Sequence, residues 1–553
     1  MDNLVFEESI TTETDTSEFT EKKWVYVNDN NSQNYSSQVV IDSTPLSNAG
    51  GYVNWSEGYI LMPLVVEATS KDSAGADVAW GNQAQADALV SLKSGYWNMI
   101  NSMSVEFNNQ TIVQQTPFLN VFRSFKAHTA FAETDVLNHG AELGYAFDSA
   151  DSWGYTSVAD EGAPISTLFN NRNLAPTAST TLANDGGKHN EGLAQRLKNV
   201  VLQPVAGSSL GKENIITATR QKELYQSRVV VNGTANVVWE IYAKLRLKDL
   251  TEYFEKCPLL KGSTMRFLIN TNQAEASITR GATGAITATS VSVLGGNTMP
   301  MMLSSQSAPS AQVAGGAVGT DVAQATITRI SVDIYKGRQS GHTTALSSVR
   351  LYAPLYRFNP LAEQRYLSLA PTKRVEYNDV FQYQFDNIAG GATFNFLVSN
   401  GIADIQSVLV VPFISPSANG NLNSLLSPYS SSGSTPDPIP LQQFNILLSG
   451  VNLFIENEDY DFQAFAHQLK SSNQLNGGLT TGLGSGLIGK REFEGLYRYY
   501  YGNASRSLPS EEGVSKSVQI VGKNASEVSV SLMCFVEFKR EMTIDIQTGA
   551  RVA

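Results

Sequence analysis

From Trp24 onward, apolar and polar residues alternate with a period of two in short runs separated by turn residues, which predicts an all-β chain. Met103, Val105 and Phe107 alternate with Ser104 and Glu106 ahead of an Asn108-Asn109 turn, and Ile330, Val332 and Ile334 alternate with Ser331 and Asp333. Near the C-terminal end Leu532, Cys534, Val536 and Phe538 share one face, and Met542, Ile544 and Ile546 repeat the pattern. Val408 to Phe413 is apolar on both faces, as a strand covered on both sides would be. Gly390-Gly391 and Asn400-Gly401 are turn signals bracketing Phe394, Phe396 and Val398, while Pro354 and Pro360 suit edge positions or strand ends.

Helical spacing is confined to short stretches: Ala84 to Lys93, Phe118 to Phe125, Asn190 to Asn199, a unit around Asp249, and Phe462 to Leu469. The Asp249 unit is the most informative. Between Leu245 and Asn272 a strand leads into a short helix, a proline stop and a second strand. Asp249 with Glu252 three positions on fits a capping box, and Leu250, Tyr253, Phe254 and Cys257 fall on one apolar stripe before Pro258. Each half of the chain offers about eight strand candidates, the number in a jelly roll, so two tandem eight-stranded jelly-roll β-sandwiches with short helices in the loops are expected. The spacing places an acidic arm at 1–21, a first domain at 22–336 and a second at 345–553, with the boundary at Lys336 to His342. Residues 304–324 are rich in Ala, Gly and Ser and read as a long loop, as do Ser415 to Pro440 and Ser471 to Gly489.

Composition supports a folded chain: 42% of the 553 residues are hydrophobic and 16% charged, enough apolar material for more than one core. The formal net charge is -12 and no dense Lys/Arg run occurs, so the electrostatic footprint of direct nucleic-acid binding is missing. Asp2, Glu7, Glu8, Glu13, Asp15, Glu18 and Glu21 make the N-terminal segment an acidic, flexible arm, with neither a signal-peptide pattern nor a spanning segment. Cys257 and Cys534 sit in apolar patterns that predict buried, reduced thiols. The triplets at Asn34, Asn109, Asn232 and Asn524 fit the N-glycosylation pattern but are expected to stay unmodified.

No constellation points to catalysis. Gly484 to Lys490 matches GxxxxGK, but Arg491 occupies the position of the magnesium-binding hydroxyl and no buried strand precedes it, so a loop is expected. His128, His139, His189, His342 and His467 are scattered without metal-site spacing. Glu456, Glu458, Asp459 and Asp461 lack the glycine and terminal glutamate of a calcium loop and read as a solvated turn. The aromatic run Leu496 to Tyr501 suits core or interface packing, with sugar or base stacking as the alternative. The expectation is therefore no catalytic, cofactor-binding or metal-binding residue.

The Leu245–Asn272 unit, together with Ser348 to Ser368, Lys373 to Ser415, the QQFNILLSGVNLF and YRYYYGNASR stretches and the C-terminal FVEFKREMTIDIQTGARV, resembles the double jelly-roll major capsid proteins of polinton-like viruses and virophages. The resemblance implies a structural protein and not an enzyme. It implies a homotrimer forming a pseudo-hexagonal capsomer that tiles an icosahedral shell, contacts to neighbouring capsomers and to penton and minor capsid proteins, assembly inside the host cell and residence in the virion. The alternative is a β-sandwich carbohydrate-binding or glycoside-cleaving protein.

Overall fold

The computed structural model describes residues 18–71, 88–148, 229–231, 236–280, 286–305, 326–334, 346–369, 371–415, 425–426, 436–457, 459–473, 486–505, 513–546 and 551–552. Two sandwiches follow one another along the chain, and both have the same strand order. In the first, the eight strands are Phe19–Asn28, Gln38–Asp42, Tyr59–Lys71, Ile100–Phe107, Gln110–Val113, Asn236–Arg246, Met265–Thr271 and Arg350–Phe358. Counted in chain order they form one antiparallel sheet 1-8-3-6 and a facing sheet 2-7-4-5. In the second the strands are Thr372–Ile388, Thr393–Ala403, Ile405–Ile414, Leu441–Leu448, Val451–Asn452, Tyr500–Asn503, Ser515–Asn524 and Val530–Asp545. They pair in the same two orders. This is the jelly-roll topology twice over, with inward-facing residues of both sheets closing one core.

The expected domain boundary needs correcting. Arg350–Phe358 lies between Phe19–Asn28 and Tyr59–Lys71 and is the closing strand of the first sandwich, although the sequence reading assigned it to the second. Three strands inserted before it, Gln273–Arg280, Ile286–Leu294 and Thr326–Ile334, extend the same sheet from Tyr59–Lys71. They look in sequence like the end of a domain because the closing partner comes later. The helix Pro360–Leu369 then connects the two units, with Pro360 opening a helix instead of ending a strand. The arm is also shorter than 1–21, because Phe19 already stacks on Phe358 and Tyr356 within the first strand. Residues 1–17, the boundary segment 336–342 and most of the 304–324 loop lie outside the described residues.

Local expectations fare differently. Asn108 and Asn109 both adopt positive φ in the hairpin between Ile100–Phe107 and Gln110–Val113, the backbone such a two-residue turn requires. Asn400-Gly401, expected as a turn, instead sits in an irregular register within the strand Thr393–Ala403. Ala88–Leu92, expected within a helix, is a strand because Met301–Ser305 offers it an antiparallel partner. Leu119–Ala130 and Phe462–Asn473 are helical as expected, Glu133–Leu143 is a further helix, and the 190–199 stretch lies outside the described residues.

Two strands are unusually long: Thr372–Ile388 has 17 residues and Val530–Asp545 has 16. Paired to each other, they run through both cores. Val380 and Val530 to Val536 pack in the second core, whereas Val375, Tyr377, Met542 and Ile544 belong to the first. Cys257 is buried in the first core and Cys534 in the second, both free, and burial pushes the Cys257 thiol up to about 12.

Asn524 is a buried hub at the end of the seventh strand of the second sandwich. Its amide donates to the carbonyls of Ile388, Ala389 and Val528, and its Oδ1 accepts from Ser526 N and Oγ. A glycan has no room there. Asn524→Ala should destabilise the protein by about 1–3 kcal/mol, the cost of orphaning buried polar groups, read as a shift in urea midpoint; an unchanged midpoint would mean that solvent reaches those carbonyls.

Candidate functional site

Among the described residues, charged and polar groups gather in the seam between the two sandwiches. The helix Leu119–Ala130 is wedged there because its sequence is apolar on two sides: Leu119 and Ala127 face the first core, while Val121, Phe122 and Phe125 face the second. Phe122 meets Phe535 at 5.7 Å, and Phe125 meets Tyr499 and Tyr501 at 5.0 and 5.5 Å between ring centres. From the first sandwich Glu252 accepts from Asn378 N at 2.9 Å, and Ile112 O accepts from Tyr377 Oη at 2.6 Å.

Charged pairs complete the seam. Lys126 Nζ lies 3.0 Å from Glu537 Oε1, and Ser407 Oγ donates to the same carboxylate at 2.7 Å. Burial raises the Glu537 pKa, but Lys126 and Ser407 outweigh it, so the carboxyl stays below its usual range. Arg540 donates to Asp379 at 2.8 Å and to Ile112 O at 2.9 Å, and Gln114 N and Val380 N also bond Asp379. There burial prevails, and the carboxyl lies above its ordinary value. Arg123 lines a cavity of about 380 Å³ between these groups, and burial brings its guanidinium down to about 10. Lys93, also fully buried, is lowered by burial to about 7, opposed by Asp437 of the second sandwich. Lys126 and Glu537 pair the wedge helix with the second sandwich, whereas Asp379 and Arg540 pair across neighbouring strands of one sheet and reach the first sandwich through Gln114 N and Ile112 O. Sequence reading missed them because Asp379 and Glu537 look like ordinary polar positions of alternating strands.

Of the residues singled out for possible chemistry, His128, the Gly486 end of the glycine-rich segment and the tyrosine run meet, and they meet as packing. Gly486, with positive φ, lies where any Cβ would run into the His128 and Thr129 carbonyls, and Leu487 N donates to His128 O at 2.8 Å, so this end of the glycine-rich segment is docked on the wedge helix. Gly484 and Ser485 lie outside the described residues. Lys490 opens the six-residue helix Lys490–Gly495 and is 74% exposed, 3.9 Å from Glu494. Lys490→Ala should change stability by less than about 0.5 kcal/mol, as surface substitutions do, and ATP binding abolished by that change would restore the phosphate-loop reading. His128 is buried with Nδ1 3.0 Å from Tyr499 Oη, His139 is 3.7 Å from Glu142, His467 is exposed, and His189 and His342 lie outside the described residues. In the acidic turn Asp461 caps the following helix through Ala464 N, Asp459 accepts from Gln443 N, and Glu458 lies outside the described residues.

The tyrosine run is buried. Tyr497 donates to Asp148 O, Tyr500 to Ile439 O, and Tyr460 donates to Tyr501 O. It is therefore not a stacking platform for sugars or bases. Among the described residues no group of three or more His, Cys, Asp or Glu is placed to hold a metal ion, and no helix is long and apolar enough to cross a membrane.

Exposed aromatics are gathered elsewhere, on the outer face of the first sheet. Trp24 (45% exposed), Tyr26 (49%) and Tyr242 (41%) stand there with Tyr59 and Tyr352. Ring centres lie 5.6 Å apart for Trp24–Tyr59, 5.0 Å for Tyr59–Tyr352 and 5.6 Å for Tyr26–Tyr352. Lys244 sits 4.6 Å over Tyr59 and Arg350 4.7 Å over Tyr26. Phe19–Asn28 forms the edge of this sheet.

No family model matches the chain, and no curated protein matches it in sequence. Among solved structures it is similar to a chain in the cryo-electron microscopy structure of the Sputnik virophage (TM-score 0.48, 11% identity, covering 97% of this chain and 89% of that one). It is also similar to the Faustovirus major capsid protein (TM-score 0.42, 11% identity, 94% and 90%) and to a chain of the PBCV-1 virus capsid (TM-score 0.41, 9% identity, 97% of each).

Proposed function

We propose that this chain is a structural major capsid protein, of the kind the sequence resembles in polinton-like viruses and virophages, and that its work is assembly and not catalysis. The observation that supports this best is the repetition of one jelly-roll strand order in two sandwiches joined by strands common to both cores. Two alike bodies fixed side by side make each protomer a pair of similar blocks, and three such protomers around an axis give six blocks with near-sixfold outline. The ion-paired seam suits that role, since it holds the two bodies in one relative orientation. In this reading the trimer is the capsomer, its neighbours are other capsomers with penton and minor proteins, and its place is the virion shell. The tyrosine run, on which the carbohydrate alternative rested, is buried.

Light scattering on the eluting protein tests the reading. A mass of about 180 kDa is expected, three times the 59.9 kDa chain, with the contacts between copies burying more than the roughly 1,200–2,000 Å² of a standard interface. Hexagonal outlines in negative stain complete the expectation. A monomer at micromolar concentration overturns it.

A further inference from the structure

The aromatic outer face of the first sheet is exposed among the described residues and takes no part in either core. Four rings in successive contact, Trp24, Tyr59, Tyr352 and Tyr26, two of them nearly half exposed, stand with Tyr242 on the same face, and contiguous apolar surface of that kind usually meets a partner. Its cations are not equivalent. Lys22 pairs with Glu57 and Lys244 with Glu142, but Arg350 forms no ion pair among the described residues and its buried Nε has no acceptor. A fitting partner therefore brings apolar side chains for the rings and a carboxylate for Arg350.

The chain carries such a segment. Residues 1–17, outside the described residues, hold the apolar cluster Leu4-Val5-Phe6 followed directly by Glu7-Glu8, then Ile10, with Asp2, Glu13 and Asp15 and no Lys or Arg. Extended, seventeen residues reach about 55–60 Å. They join the sheet at Glu18, whose carbonyl accepts from Asn359 N at 2.9 Å, while the Phe19 ring is held by Phe358 and Tyr356. Those contacts hold Glu18 and Phe19 at the edge of the sheet beside Phe358 and Asn359, a starting point from which that length spans either this face or the same face of a copy seated beside it, as the assembly reading has copies seated.

We propose that residues 1–17 of a neighbouring copy dock on this face, Leu4, Val5 and Phe6 against the Trp24, Tyr26, Tyr59 and Tyr352 rings and Glu7 or Glu8 on Arg350. The proposal rests on the assembly reading above and names the contact by which copies are tied.

Both native cysteines are buried, so single introduced thiols can be oxidised selectively in the full-length chain. Phe6→Cys and Tyr26→Cys chains are prepared separately, mixed during assembly and oxidised. A covalent pair of chains is expected in the mixture and not in either variant alone. Adding Arg350→Glu to the Tyr26→Cys chain should lower its yield severalfold, and Glu7→Lys with Glu8→Lys in the other chain should restore it. No cross-link, equal cross-linking within each variant alone, or closure only inside a doubly substituted chain overturns the docking. If light scattering still finds trimers in those cases, the docking fails and the capsid reading stands; if it finds only monomers, both fail.

Discussion

Replacing Phe254 with alanine should destabilise the protein by roughly 3–5 kcal/mol, the range for deleting a buried phenyl group. The ring is fully buried. It stacks on Phe267 at 5.7 Å and lies 6.3 Å from Trp55, and its neighbour Tyr253 meets Tyr377 of the second sandwich at 5.1 Å. Losing the ring therefore opens a cavity where the short helix, the first core and the long strands converge. Two neighbouring changes calibrate it. Thr251, whose Oγ1 accepts from Tyr253 N at 3.3 Å, is the helix cap, and Thr251→Ala should cost about 0.5–2 kcal/mol. Asp249 is ion-paired with Arg246 instead of capping, so Asp249→Ala should cost no more than about 1 kcal/mol. Urea unfolding of the three variants checks the order. Equal, small effects would show that this helix contributes nothing to the core.

Acidification should weaken the seam through His128. The imidazole is buried between the wedge helix and the tyrosine run, and burial takes its pKa from 6.5 down to about 3. The folded protein therefore binds this proton less readily than the unfolded chain does. The stability tied to the neutral ring is complete above pH 6.5 and is lost progressively as pH falls from 6.5 toward 3. Between pH 7.5 and pH 5, a range in which ordinary carboxylates stay ionised, the loss should be about 2 kcal/mol. His128→Gln keeps a hydrogen-bonding partner for Tyr499 and does not titrate, so its midpoint should move much less over that interval. Parallel pH dependence in both proteins would mean that the ring already reaches water.

Much of this architecture is legible in the residues. Period-two alternation identifies strands such as Ile100–Phe107 and Val530–Asp545, and the Leu250, Tyr253, Phe254, Cys257 stripe is buried as its spacing predicts. The misreadings have identifiable causes. Asp249 loses the capping role because Thr251 is extended, at φ -153°, and splits the predicted helix into Leu247–Leu250 and Glu252–Lys256. The domain boundary moves because the closing strand Arg350–Phe358 follows a three-strand insertion that has strand patterning of its own. The seam is illegible because Lys126, Glu537, Asp379 and Arg540 come from distant segments, and pairing across that distance leaves no periodic trace.

The sharing of Thr372–Ile388 and Val530–Asp545 between both cores also governs how the protein is made. The first sandwich cannot close on the ribosome until Arg350–Phe358 has emerged to pair with Phe19–Asn28, and even then its core lacks Met542 and Ile544 from Val530–Asp545. Synthesis runs from the N-terminus at a few to some tens of residues per second, about 5–20. For much of translation the nascent chain thus displays an unclosed sheet, and its last cooperative step waits for Val530–Asp545. Ribosome-bound chains halted after residue 480 should remain protease-sensitive in the first sandwich, and chaperones should matter more during synthesis than for a chain built of two independently closing units.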